Sequence, residues 1–154
     1  DKFNEYFVSE KVAKHYLNSA KNKIADVALT VPDKELIEKC EWCGMMEWKY
    51  SSIDLFLKKG IGFVAVQGDK ICSEAYSCNG DGTYAEMGVI TAIDKKRQGF
   101  GFAACLKVLE ELEKRGLKPT WSCDRDNEGS QNLAKKLGFI NPIPYEFLWI
   151  PKQE

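Results

Sequence analysis

Three segments in the middle of the chain have the composition of strands, and short turns that contain glycine separate them. Residues 61–67 (IGFVAVQ) and 71–77 (ICSEAYS) flank the dipeptide Gly68-Asp69, which favours a hairpin turn, and NGDG at 79–82 leads into the third segment at 84–93. This pattern predicts an antiparallel meander of three strands. The remaining elements must be arranged around that meander.

The chain after the meander alternates between helix and strand. An apolar stripe at helical spacing predicts a helix that ends at Gly116, followed by a short strand at 120–124, a second helix at 129–137 and a last strand at 139–150. Because a helix connects the third meander strand to the strand at 120–124, we expect these two strands to be parallel, with a right-handed crossover. The order predicts an α+β (mixed α/β) fold in which helices flank a mixed, mostly antiparallel sheet.

The first 59 residues carry helix signals but no functional motif. Three polar residues stand where a helix N-cap is expected: Ser9, Asp33 and Ser51. Residues 24–31 fit a strand or a helix equally well. We therefore divide the chain into an N-terminal helical segment at 1–59, either part of an acceptor site or the remnant of a longer chain, and a core at 60–154.

Charge and cysteine content restrict the partners. The chain has 22 basic and 23 acidic residues, so no overall field would attract nucleic acid or an anionic membrane, and a phosphate ligand must be held locally. No apolar run reaches the length of a bilayer span, and the N-terminal residues do not have the pattern of a signal peptide. We interpret the six cysteines as reduced thiols of a cytoplasmic protein. The CEWC at 40–43 has redox or zinc spacing, but without a second CxxC we expect no metal.

The segment KKRQGFGFAA at 95–104 joins the third meander strand to the following helix. The start of a helix has free backbone N–H groups, and Gly99 and Gly101 would let phosphate oxygens approach them without a Cβ in the way. The neighbouring basic side chains would neutralise a pyrophosphate. A flexible connection with solvated charges is the alternative.

A dinucleotide-binding loop is a further alternative, since Gly99, Gly101 and Ala104 satisfy G-x-G-x-x-[GA] and Asp124 stands near the distance of a ribose-binding acid. Two features argue against it. Residues 91–98 separate the strand from the first glycine, and the chain after Asp124 is too short for the rest of a doubly wound sheet. A Walker A loop is excluded because no Gly-Lys-[Ser/Thr] follows.

Two motifs together resemble one enzyme family. K-x-x-G-x-G at 96–101 and NEGSQNLAKKLGF at 127–139 are similar, in order and spacing, to the signatures of the GNAT superfamily of acetyl-CoA-dependent N-acetyltransferases. The resemblance covers residues 60–150, and the sequence at 116–139 is similar to that of the zwittermicin-resistance branch. It implies a three-layer GNAT fold and direct attack by a primary amine of a small or peptide-like acceptor on acetyl-CoA.

The resemblance also implies coenzyme contacts along the strand end, the glycine loop and the second motif. Lys96 departs from the family pattern, which has Arg or Gln at that position. The residues implied are Val89, Ile90, Thr91, Lys96, Arg97, Gln98, Gly99, Phe100, Gly101, Phe102, Asn127 and Ser130. Asn127 could instead serve only as a helix cap.

The acid that protonates the departing thiolate does not follow the family pattern. Many family members have a tyrosine directly after the position of Leu133, where this chain has Ala134. Tyr145 or Tyr84 would have to replace it, unless water protonates the thiolate.

For the base that takes the ammonium proton, Glu86 is our first hypothesis and Asp124 the second. Cys123 is interpreted as a buried thiol and not as an acetyl carrier.

A non-catalytic acyl-CoA-binding or protein-interaction module of the same fold is the alternative function. The expected partners are acetyl-CoA and an amine acceptor, without nucleic acid or membrane. Whether the domain forms a homodimer is left open.

Overall fold

The structure, a computed structural model, describes residues 2–8, 28–77 and 81–146, with only the backbone of 2–8 and 28–29. The helix predicted after Ser9 lies outside these ranges. So do residues 24–27 of the ambiguous segment and residues 147–150 of the predicted final strand.

Seven strands form one mixed sheet in the order β2-β3-β4-β5-β6-β1-β7. Their bounds are β1 Lys2–Val8, β2 Ala28–Thr30, β3 Gly62–Gln67, β4 Lys70–Ser77, β5 Tyr84–Thr91, β6 Lys118–Asp124 and β7 Phe139–Glu146. The predicted meander is β3, β4 and β5, which pair antiparallel. As expected from the connecting helix, β5 and β6 are parallel, whereas the other neighbouring strands in the described ranges are antiparallel.

Five α-helices and one 3₁₀ turn are seen in the described residues. Their bounds are α1 Lys34–Glu38, α2 Cys43–Tyr50, α3 Ile53–Lys59, the 3₁₀ turn Ile93–Lys95, α4 Phe100–Lys114 and α5 Glu128–Leu137. Asp33 caps α1 by accepting the Leu36 N–H at 2.8 Å, as predicted. The cap of α3 is Ser52 and not Ser51: Ser52 accepts the Leu55 N–H, while Ser51, at φ 67°, ends α2.

Helices cover both faces of the sheet, which confirms the predicted fold class. On one face α4 packs on β3, β4 and β5 in a core that includes Ala75, Leu112 and Trp121. On the other face a second cluster joins α1, α2 and α3 to Tyr76 of β4. Because Ala75 and Tyr76 are consecutive residues of one strand, they point to opposite faces.

The position of β1 was not predicted. This strand lies between β6 and β7, pairs with β6 from Phe3↔Asp124 to Phe7↔Thr120, and separates β7 from β6. A bulge in β7 places Asn141 at φ 58°, where the register shifts by one residue. The range 1–59 therefore contributes two strands to the sheet in addition to helices. The proposed division of the chain at residue 59 stays a prediction.

Candidate functional site

The two parallel strands in the middle of the sheet pair only at their beginnings. Tyr84, Ala85 and Glu86 of β5 pair with Lys118, Pro119 and Thr120 of β6, and no pairing follows. Beyond that point residues 87–91 pair only with β4, and residues 121–124 pair only with β1. Their facing edges form an opening that we call the wedge. Its unpaired N–H and C=O groups can bind an extended ligand, as an open strand edge binds a peptide.

The N-terminus of α4 lies beyond the open end of the wedge. Gly99 is its N-cap, at φ 90°, and no side chain caps the helix. The first intrahelical bond of this turn is donated by the Ala103 N–H to the Gly99 carbonyl, at 2.9 Å. A helix gives its first N–H groups no intrahelical acceptor, so those of Phe100 and Gly101 can face an anion, and the helix dipole adds positive potential there.

The loop before α4 is held by its own side chains. Gln98 donates from Nε2 to the Asp94 carbonyl at 3.0 Å, and Lys95 Nζ turns away to Gln67 at 2.9 Å. Lys96 and Arg97 are exposed, and Arg97 has φ 61°. The side chains of Lys96 and Arg97 can therefore reach a ligand. The side chains of Lys95 and Gln98 fix the loop instead.

The two glycine positions of the loop require glycine for different structural reasons. Gly99 adopts a left-handed conformation that side chains rarely allow. Gly101 is buried against the sheet, and a Cβ on it would lie 2.8 Å from Oγ1 of Thr91. We predicted that the missing Cβ of Gly101 clears space for phosphate. The structure corrects this reason, because the missing Cβ lets α4 pack closely on β5.

The predicted strand residues 89–91 offer their backbone to the wedge. Val89 packs against the main core, and the Thr91 hydroxyl lies 2.9 Å from the Ser73 hydroxyl. Phe102 is half-buried against the same core. These side chains are engaged in the fold, so any coenzyme contact from these positions would use main-chain groups.

The second motif begins α5. Asn127 Oδ1 accepts the Ser130 N–H at 3.0 Å, which is the capping role that we considered as the alternative. Ser130 Oγ accepts a hydrogen bond from Trp121 Nε1 at 3.0 Å. Asn127 thus keeps its amide nitrogen as a donor for a ligand. Burial raises the pKa of the neighbouring Cys123 thiol, which disfavours the thiolate that an acetyl carrier needs.

The three predicted catalytic residues lie on the same face of the sheet but at different positions along the strands. Glu86 pairs with Thr120 at the narrow end of the wedge, where the Ser122 hydroxyl donates a hydrogen bond to Glu86 Oε1. Asp124 is four residues beyond Thr120, about 13 Å along the strand. Tyr145 is level with Asp124, because both are opposite Phe3 of β1. The structure therefore brings Glu86 and Ser122 together, leaves Asp124 at the open end, and places Tyr145 on β7, beyond β1.

The candidates for the acid also differ in position. Ala134 is 0% exposed in the main core. Tyr84 is the first residue of β5, opposite Lys118, and Lys118 Nζ lies 5.7 Å from its ring centroid. Tyr84 therefore lies at the narrow end of the wedge, two residues before Glu86, and its role as the acid stays a prediction. Tyr145 lies on β7, which β6 and β1 separate from the wedge.

Sequence reasoning did not identify Ser122 or Tyr76 as residues that lie beside the wedge. The Tyr76 ring covers Gly88 of β5, so that a Cβ on Gly88 would lie 2.6 Å from the Tyr76 oxygen. An isolated glycine inside a strand was an available signal for such close approach. Ser122 carried no comparable signal, because its role depends on a partner in another strand.

A buried carboxylate supports the helices on the face that carries Tyr76. Glu74 of β4 is 5% exposed and accepts the N–H groups of Glu41 and Trp42, at 3.2 and 2.9 Å. Trp42 in turn packs on Tyr76, with ring centroids 5.3 Å apart. Burial raises the pKa of Glu74, although these hydrogen bonds oppose the shift. Glu74 therefore fixes the turn between α1 and α2, which packs on Tyr76 through Trp42.

The raised pKa of Glu74 leads to a prediction about stability. The folded protein binds the proton of this carboxyl more tightly than the unfolded chain does, so its contribution to stability falls as pH rises above the ordinary glutamate pKa of about 4.3. Glu74→Gln removes the titration and one good acceptor. We expect the variant to be less stable at low pH and the difference in unfolding free energy to narrow as pH rises. Urea denaturation between about pH 4 and pH 8 measures this, and a constant difference would contradict it.

In residues 2–8, 28–77 and 81–146, no group of three or more His, Cys, Asp or Glu side chains is placed to hold a metal ion. Burial raises the pKa of both thiols of the CEWC segment, Cys40 and Cys43. Within the same residues no helix is long and apolar enough to cross a bilayer.

Comparison with known proteins agrees with this architecture. A family model described as GNAT acetyltransferase matches residues 1–148. The chain belongs to the GNAT acetyltransferase family. The wedge and the glycine loop are thus parts of a GNAT domain, and the family resemblance inferred from the two motifs is confirmed. The resemblance to the zwittermicin-resistance branch stays a prediction.

Individual GNAT relatives are longer than this chain. The uncharacterized N-acetyltransferase YdfB of Bacillus subtilis (strain 168) is 31% identical over 96 residues, which are 62% of this chain and 37% of that protein. A GCN5-related N-acetyltransferase-like protein from Streptococcus suis 89/1591 has a TM-score of 0.74 at 23% identity, over 94% of this chain and 60% of that chain. An acetyltransferase of the GNAT family from Colwellia psychrerythraea has a TM-score of 0.66 at 15% identity, over 93% and 53%. The two solved structures support the fold alone.

Proposed function

We propose that this GNAT domain is an N-acetyltransferase that moves an acetyl group from acetyl-CoA to a primary amine by direct attack. The proposal rests on two features of the structure that adjoin each other. The uncapped N-terminus of α4 can hold a diphosphate, and the unpaired edge of β5 leads from there to a carboxylate at the narrow end of the wedge. A coenzyme with a diphosphate and an extended, amide-containing arm fits that arrangement.

The coenzyme would be held mainly by backbone groups. The N–H groups of Phe100 and Gly101 would contact the diphosphate, with Lys96 and Arg97 adding charge from the surface. Residues 89–91 would pair with the amide-containing arm from one side of the wedge, and the Asn127 amide nitrogen would donate from the other. Phe100 and Ser130 would contribute through the main chain or through packing, because the Phe100 ring is buried and the Ser130 hydroxyl is engaged.

The chemistry would take place at the narrow end. Acetyl-CoA supplies the activated acyl group. Glu86, half-buried beside the wedge, would accept the proton that the amine loses, directly or through water. Fixing the amine beside the acyl group would contribute much of the rate. Water, or Tyr84 two residues before Glu86 on β5, would return a proton to the leaving sulfur, whereas Tyr145 lies on β7, which β6 and β1 separate from the wedge.

The acceptor is proposed only by class. A small amine, an aminoglycoside-like molecule or a peptide-like antibiotic fits the sequence resemblance to the zwittermicin-resistance branch. Three expectations from the sequence stay predictions: a cytoplasmic location, partners that include neither nucleic acid nor membrane, and a possible homodimer.

Two measurements on the purified protein test the proposal. Titration calorimetry with acetyl-CoA should give a heat of association, and NAD at the same concentration should give none. Thiol release from acetyl-CoA should then rise with at least one member of a panel of primary amines. No binding of acetyl-CoA would defeat the proposal, whereas binding without turnover on any amine would favour the non-catalytic acyl-CoA-binding module.

A further inference from the structure

Ser122 lies where backbone pairing between β5 and β6 ends. Its hydroxyl donates a hydrogen bond to Oε1 of Glu86, so a side-chain bond crosses the wedge directly after the last backbone pair, Glu86↔Thr120. Both side chains are half-buried, and both lie on the face opposite α4. This bond links the two strands at the point where they begin to separate.

The orientation of the Glu86 carboxylate depends on that bond. A glutamate side chain has three rotatable bonds and loses much freedom when it is fixed. Among the described residues, Ser122 is the hydrogen-bond partner of Glu86, and Lys118, the lysine of β6, lies over the Tyr84 ring instead. No described cation therefore holds the carboxylate in place.

The geometry points to Ser122 as the residue that positions Glu86 for proton transfer, an inference that rests on the proposed function. Ser122 occupies Oε1 and leaves Oε2 to accept the proton of the attacking amine. As that proton moves to Oε2, the nitrogen bonds to the acyl carbon, the carbon–sulfur bond breaks, and the sulfur takes a proton from water, directly or relayed through Tyr84. Glu86 then gives its proton back to water, so that the charges balance over one turnover.

Three variants separate positioning from other effects. Ser122→Ala should lower kcat about tenfold, because an unheld carboxylate is often misplaced. The KM for acetyl-CoA and its calorimetric affinity should not change. Ser122→Thr keeps the hydroxyl in a residue that suits a strand and should stay within about twofold of the unaltered rate. Thr120→Val, the matched control, removes a hydroxyl at the neighbouring position of the same face and should leave kcat unchanged.

A double variant tests whether Ser122 acts through Glu86. Glu86→Gln with Ser122→Ala should be no slower than Glu86→Gln alone, because no base remains to be positioned. Independent, multiplicative losses would overturn the inference, as would a Ser122→Ala enzyme with the unaltered kcat or a Ser122→Thr enzyme as slow as Ser122→Ala. If the unaltered protein released no thiol with any amine, the proposed function would fail, and this inference with it. If instead Glu86→Gln kept the full rate, the assignment of Glu86 as base would fail, whereas the proposal of acetyl transfer would stand.

Discussion

Glu86→Gln is expected to lower kcat about a hundredfold while acetyl-CoA binds with unchanged affinity. The amide has nearly the shape of the carboxylate and can still accept the Ser122 hydrogen bond, so the narrow end of the wedge should keep its structure. It cannot accept the proton of the amine, and a positioned general base typically contributes a factor of about 10² to 10⁴. Steady-state thiol release and calorimetry on the same preparation measure the two quantities.

Asp124→Asn is the matched control for this prediction. Asp124 is exposed at the open end of the wedge, about 13 Å along β6 from the level of Glu86. The same chemical change there should leave kcat within about twofold. A hundredfold loss in Asp124→Asn, with Glu86→Gln unaffected, would transfer the role of base to our second candidate.

Gly101→Ala is expected to weaken acetyl-CoA binding about tenfold and to destabilise the fold. The new Cβ would lie 2.8 Å from Thr91 Oγ1, so the first turn of α4 must move away from the end of β5. Alanine is favoured over glycine within a helix by about 1 kcal/mol, whereas overpacking typically costs about 1–3 kcal/mol. We therefore expect a net loss of about 1 kcal/mol in unfolding free energy. Calorimetry and urea denaturation measure the two effects.

A second substitution should reverse the effect of the first. Thr91→Ala removes the atom that the new Cβ would meet, and the next atoms, Ser73 Oγ and Val89 Cγ2, lie at 3.5 and 3.7 Å. Ser73 keeps its hydrogen bond to the Ile90 carbonyl. The double variant should therefore bind acetyl-CoA nearly as well as the unaltered protein. If Gly101→Ala bound as tightly without the second change, close packing of α4 would not be the reason for the glycine.

Local patterns were sufficient for much of the architecture. The meander followed from strand-like segments and glycine turns, and α4 from its apolar stripe, since both depend on neighbours within a few residues. The loop at 96–101 could be placed at a helix start for the same reason. The cap of α3 was misplaced by one residue, because Ser51 and Ser52 are equally plausible caps until the end of α2 is known.

Contacts between distant residues decided the remaining features. The position of β1 depends on pairing with two strands more than a hundred residues away, which its own seven residues do not encode in any visible pattern. The reason for Gly101 depends on Thr91, and the covering of Gly88 depends on Tyr76 of the neighbouring strand.

The sequence by itself determined the fold class, the family and the segment that would hold a diphosphate, because periodicity, turns and the two motifs are properties of short stretches of chain. Only the tertiary structure showed which carboxylate lies at the narrow end of the wedge and that Ser122 contacts it. The point at which β5 and β6 separate follows from how far the two strands pair, and that length is set by the whole sheet.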